Sequence, residues 1–209
     1  MPESDRLDKV TTFIVSRIND VPHLLVFEHV GIQLPAGTVE PGEDPTDAAI
    51  REAKEETGLL ELKLERKLAE APEDLEFDER LIHQTTLVYT RPDTSSPSWA
   101  ELRRGLRVWQ LRTHDDFTHI EYAERDLDAD PPYVSYQVTG WVPSSTVTDN
   151  VNRHFYLFSH TGDTPTEWTH VDEKHTFRLF WAPVGNLPKL HSYQNSWLRF
   201  LPRLGPDSH

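Results

Sequence analysis

The sequence predicts a mixed α/β (α+β) fold, and three observations carry that prediction. One segment, Asp44 to Gly58, holds both the start and the stop signals of a helix. Runs rich in apolar and β-branched residues flank it on both sides, as strands would. The length, 209 residues, suits one domain with a sizeable core and is short for two.

The elements follow in order. Val10 to Arg17 and His23 to His29 read as strands separated by the turn-like Asn19-Asp20. Gly31 to Gly42, with two prolines and three glycines, reads as a loop. Asp44 suits the N-cap, Pro45 the first helical position and Asp47 the positive helix end, and Gly58 suits the left-handed stop. Leu60 to Ala69 alternates as a half-buried strand, and Leu81 to Thr90 reads as one further strand. RPDTSSPSW from Arg91 and DLDADPPY from Asp126 read as loops, and Ala100 to Arg112 is too irregular to assign. Tyr133 to Val142, His154 to Ser159 and Thr176 to Pro183 are strand-like. Ser192 to Leu201 reads as an amphipathic helix carrying Trp197, Leu198 and Leu201 on one side. No internal repeat is evident.

The helix carries the chemistry. At about 100° per residue, Glu52, Glu55 and Glu56 share one face, while Ile50, Ala53 and Thr57 turn toward a face that packs on a sheet. Three like charges repel unless something positive occupies the cluster. An open row of carboxylates suits magnesium, which takes oxygen ligands and shares them with substrate phosphates. Zinc is disfavoured by the absence of cysteine and of a paired-histidine spacing.

Composition narrows the partners. Lys plus Arg is 21 against Asp plus Glu 35, a net charge of −14, which argues against a nucleic-acid polymer or an anionic membrane held by bulk electrostatics. A small phosphorylated ligand remains compatible, because a metal ion and local arginines can neutralise a diphosphate inside a site. Having no cysteine, the chain has no disulfide, thiolate catalysis or iron–sulfur cluster, and suits a reducing cytoplasm. No apolar run is long enough for a signal peptide or a membrane span.

The run GTVEPGEDPTDAAIREAKEETGL, Gly37 to Leu59, resembles the Nudix box: a glycine, five residues, Glu43, seven residues, then Arg51-Glu52-Ala53-Lys54-Glu55-Glu56-Thr57-Gly58-Leu59. Ala53 departs from the box, which prefers a larger aliphatic residue there. The chain looks like a Nudix hydrolase. That resemblance implies a Nudix fold, a mixed β-sheet sandwiched between α-helices. A compact domain of this kind needs fewer residues, so 1–209 reads as a single domain with an insertion or elaboration at about 92–151. HTFRLFWAPVGNLPKLHSYQNSWL looks like the family's closing strand and second helix.

The resemblance also implies roles. Glu52, Glu55 and Glu56, with the Ala36 carbonyl, would hold Mg2+ or Mn2+, Arg51 would orient the acids and Glu43 would support them, while Gly37 and Gly42 let the loop pass close to metal and phosphate. The implied activity is metal-dependent hydrolysis of a diphosphate bond in a nucleoside diphosphate linked to another group, with Glu52 the first candidate base. Glu167 and Glu173, in TEWTHVDEKH, are later candidates that read more readily as loop acids, and His170 and His175 there could contact phosphate. Pro72 lies near a position linked with ADP-ribose hydrolysis without matching it well. Phe77, Tyr122 and Trp141 could stack on a base, although tryptophans mostly fill core. A homodimer is compatible with this reading. The alternatives are a catalytically silent nucleotide or ADP-ribose binding module, whose mark would be a damaged box, and an isoprenoid diphosphate isomerase, which relies on a cysteine this chain lacks.

Overall fold

The structure, a computed structural model, describes residues 5–29, 31–126, 130–131, 133–163, 165–172, 175–191 and 193–204. Along the chain come β1 (Leu7–Ile18), β2 (Val21–His29), β3 (Gly31–Gln33), β4 (Ala36–Thr38), α1 (Pro45–Thr57), β5 (Leu62–Pro72), β6 (Glu79–Ile82), β7 (Thr86–Tyr89) and β8 (Ser98–Leu102). These are followed by β9 (Arg107–His114), β10 (Phe117–Asp126), β11 (Tyr133–Pro143), β12 (Val147–Thr148), β13 (Val151–His160), β14 (Glu167–Asp172), β15 (His175–Pro183) and α2 (Gln194–Trp197). Two compact units result. One takes in Met1–Asp8 and Pro72–Asn152, the other Lys9–Ala71 and Arg153–His209.

The unit that contains α1 is built on a sheet ordered β14-β15-β2-β1-β13-β5, with β3 paired to β2 and β4 to β1. Alternation along the strands divides its apolar residues between two faces. Val10, Ile14, Leu25, Phe27, Tyr156 and Phe158 form one cluster with Ala48, Ala49 and Ala53 of α1. Phe13, Leu24, Val26, Phe155 and Leu157 form the other with Trp197 of α2. The sheet therefore has a helix on each face. Small side chains on α1 bring its backbone close to the sheet, and the helix lies against β4, β14 and β15.

The ends of α1 follow the local signals. The Asp44 side chain accepts the Thr46 N–H at 2.7 Å, and Gly58, at φ 69°, returns its N–H to the Lys54 carbonyl at 2.9 Å. The other unit is a seven-stranded sheet ordered β12-β6-β9-β10-β11-β7-β8 over a cluster of Ile82, Val88, Leu102, Val108, Ile120, Val138 and Val142.

Several elements differ from the sequence expectation. The loop Gly31 to Gly42 contains β3 and β4. Leu81 to Thr90 is two strands, because after Ile82 the chain leaves the sheet register and His83 bonds the Thr146 carbonyl through its N–H at 2.9 Å. The unassigned Ala100 to Arg112 divides between β8 and β9, and the charge-rich β10 was unforeseen. The acidic segment around Glu167 is strand β14, paired to β15, instead of loop. The last helix shortens to α2 followed by one 3-10 turn, Leu198–Phe200.

Candidate functional site

Arg51 organises the acidic face of α1. Its Nε and Nη2 donate to the two oxygens of Glu43, each at 3.0 Å, so a loop carboxylate and a helix guanidinium form a bidentate pair. Nη1 donates to Glu52 at 2.9 Å and to Glu55 at 3.0 Å, while Nη2 also reaches the Thr38 carbonyl at 3.2 Å. The mutual repulsion expected of the glutamate row is thus offset by a cation from the same helix.

The loop before the helix completes the arrangement. Glu56 accepts the Ala36 N–H at 2.8 Å, which ties the Pro35–Ala36 peptide, just before Gly37, to the helix. A Cβ on Gly37 would overlap the Glu52 carboxyl group, so a larger residue there would displace that carboxyl from its place beside Arg51. Glu43 also accepts the Glu40 N–H at 2.9 Å. Gly42 sits at φ 81° with open space around it, so conformation and not close approach explains that glycine.

These environments separate the acids. The Arg51 hydrogen bonds hold Glu43 below the usual carboxylate range. Burial pushes Glu52 upward, against the opposing pull of Arg51. The bond to Glu43 leads the causes that raise Arg51, which stays charged throughout. Glu55 is the most open of these groups, with 47% of its side chain exposed.

Glu52, Glu55, Glu56 and the Ala36 carbonyl would offer oxygen donors only, a set that would suit a hard divalent cation. Among the described residues, no three metal-type side chains converge at ligand spacing. Arg51 and the Ala36 N–H occupy carboxylate oxygens that a cation would share.

The later candidates lie on β14. Glu167 is clamped by Arg178, whose Nε and Nη2 reach it at 2.5 and 3.1 Å, and this pair holds its pKa down. His170 bonds the backbone carbonyl of Glu55 through Nε2 at 2.7 Å, and Trp168 donates to the Thr57 carbonyl at 3.0 Å. Both cap orphan carbonyls at the end of α1, a role no local spacing announced. Glu173 and the side chain of His175 lie outside the described residues. Gln194, which no sequence pattern marks, is buried, and its Oε1 accepts the Leu34 N–H at 2.8 Å, two residues before Ala36. Phe77, Tyr122 and Trp141 belong to the other unit, where Phe77 is exposed, Tyr122 bonds Glu124 and Trp141 is buried.

Known proteins resemble parts of this chain. A stretch of 46 residues is 48% identical to an RNA pyrophosphohydrolase of Rhizobium meliloti (strain 1021), covering 22% of this chain and 26% of that protein. The chain thus spans about a quarter of that relative's length. A solved structure of a C. elegans Ap4A hydrolase binary complex aligns over 93% of this chain and 94% of its own, with 13% identity and a TM-score of 0.42. The NUDIX domain family model matches residues 8–129, more than half of the sequence, and the chain belongs to that family.

Proposed function

We propose that this chain is a divalent-metal-dependent pyrophosphohydrolase that cleaves the diphosphate bond of a nucleoside diphosphate linked to another group. One observation carries the reading: Arg51, gripped by Glu43, gathers Glu52 and Glu55 on one side of α1 beside a glycine loop tied to Glu56.

On this reading Glu52, Glu55, Glu56 and the Ala36 carbonyl hold Mg2+ or Mn2+, which supplies positive charge for the phosphoryl oxygens and acidifies a water. Glu52 is the first candidate for the general base, held on the acidic side of α1 by its hydrogen bond from Arg51. Glu167 is the poorer base, because Arg178 lowers its proton affinity. Arg51 keeps the acids oriented as charge moves, and Gly37 keeps the approach to Glu52 open. The chain's freedom from cysteine fits a cytoplasmic setting, and among the described residues no helix is long and apolar enough to cross a membrane. Residues 92–151 read as an elaboration of one Nudix domain.

The similarity to an RNA pyrophosphohydrolase adds an RNA substrate to the candidates, although a net charge of −14 offers little purchase on a polymer. The test is a panel of nucleotide-linked diphosphates and triphosphate-ended RNA, assayed with magnesium, manganese and excess chelator, with products identified. Hydrolysis abolished by chelator and restored by either cation is the expected result. Full activity in chelator removes the metal from the reading. Binding without turnover of any substrate favours the silent module instead, against which the intact Glu52, Glu55 and Glu56 speak.

A further inference from the structure

The last turn of α1 carries Glu55 and Glu56 at consecutive positions, joined by one peptide. Their side chains leave it for different partners, Glu55 for Arg51 and Glu56 for the Ala36 N–H, so a tilt of that peptide would move both carboxylates at once. Helix ends are where such tilts occur, because the final carbonyls lose their intrahelical donors. This end is abrupt. Gly58 turns left-handed, and the Leu59 N–H, which would continue the ladder to the Glu55 carbonyl, goes to the Thr57 hydroxyl at 3.1 Å.

Strand β14 supplies the donors. His170 Nε2 lies 2.7 Å from the Glu55 carbonyl, which can only accept, so Nε2 carries the proton. The Trp168 indole N–H reaches the Thr57 carbonyl at 3.0 Å. Side chains two apart on a strand share a face, and here they meet carbonyls two apart on the helix end. Their cross-strand partners Phe177 and Leu179 belong to the cluster that packs α1, which fixes the face they occupy. A Cβ on Gly58 would stand 2.7 Å from His170 Nδ1, so the glycine that ends the helix also leaves room for the imidazole. On the opposite face of β14, Glu167 is gripped by Arg178, which also reaches Glu28 of β2 at 2.8 Å. Ion pairs thus hold this edge strand in register from the side away from α1.

We propose that His170 and Trp168 are positioning residues for the acidic face, fixing the Glu55–Glu56 peptide so that both carboxylates stay aimed at a divalent cation. The proposal rests on the cation-dependent reading for its part in the reaction. His170 acts through the two acids and not by touching phosphate.

The full chain is compared as parent, His170→Phe, which keeps a ring and loses the donor, His170→Gln, which keeps a donor at similar reach, and Trp168→Phe. Mn2+ alone is titrated, and the free ion is counted by electron paramagnetic resonance. His170→Phe and Trp168→Phe are each expected to raise the Mn2+ dissociation constant about three- to tenfold, the scale of one hydrogen bond, with His170→Gln near the parent value. Amide exchange at Thr57 and Gly58 should quicken in the same two variants. Faster exchange with unchanged Mn2+ affinity in both means a helix cap without bearing on the site, and overturns the proposal. So does a loss of affinity in His170→Phe that His170→Gln shares in full.

Turnover separates the proposal from the reading beneath it. With a nucleotide-linked diphosphate that the parent hydrolyses, the two phenylalanine variants should need about three- to tenfold more magnesium for half-activation, with kcat at saturating magnesium near the parent value. The expected Mn2+ shifts in a chain that hydrolyses no diphosphate support the positioning role and refute the hydrolase. A parent that binds no Mn2+ refutes the cation and the positioning role together.

Discussion

Arg51 and Glu43 are joined by two hydrogen bonds of equal length, 3.0 Å each, between a helix and the loop that precedes it. Lysine can neutralise Glu43 but cannot form that fork while also reaching Glu52, Glu55 and the Thr38 carbonyl. Arg51→Lys is therefore expected to lower kcat by about 10- to 100-fold, with the melting temperature falling by only a few degrees, because a positioned charge-assisted contact is worth about 1.5–3 kcal/mol. Steady-state kinetics beside a thermal melt make the check. A variant with parent kinetics would mean the network is scaffold only.

Gly37 lies against the Glu52 carboxyl group. Gly37→Ala is expected to push the Glu52 carboxyl aside and cost about 1–3 kcal/mol in strain or activation free energy. Pairing it with Glu52→Asp, whose shorter side chain vacates the overlap, should recover the stability loss but not the activity. Chemical denaturation of the two single variants and the double variant measures the coupling. Additive losses would count against direct contact as the cause.

Glu56→Gln retains an oxygen to accept the Ala36 N–H and loses only charge. If Glu56 holds a cation, turnover should fall by about two orders of magnitude or more while the fold persists, with higher magnesium partly restoring it. Glu101→Gln, an exposed acid of the other unit, serves as the neutral control. Equal rates in both variants would end the metal assignment for Glu56.

Metal binding should also register in stability. A ligand that binds the folded state raises the melting temperature by mass action, so millimolar magnesium with a nucleotide diphosphate present should shift the thermal transition upward. Scanning several metal concentrations tests this. A flat response across the series argues against a cation at the acidic face.

His119 predicts a pH dependence in the seven-stranded unit. Burial, aided by Arg112, lowers its pKa, and its ring lies 4.7 Å from that of Trp141. A base whose folded pKa lies below its unfolded value contributes stability above the unfolded pKa, and loses it as pH falls through the folded one. Stability of the parent should therefore drop on acidification below the ordinary histidine range more steeply than that of His119→Phe. Identical pH profiles in denaturant titrations would dispose of the effect.

What the sequence determined by itself is local. Asp44, Pro45 and Gly58 mark the ends of α1 because capping depends on groups within a turn of each other, and the glutamates share a face because helical spacing is periodic. The family resemblance identified the acids and Arg51, and the structure brings Arg51 together with Glu43, Glu52 and Glu55.

The tertiary structure alone decided the rest. Gln194 meets Leu34 across 160 positions, Trp168 and His170 cap a helix more than 100 residues earlier, and at the break between β6 and β7 the His83 N–H bonds the Thr146 carbonyl. None of these partners leaves a periodic or spacing signal. A strand such as β10 or β14 takes its hydrogen bonds from neighbours, so a polar, charged sequence can occupy it once the surrounding sheet supplies the partners that its own residues do not announce.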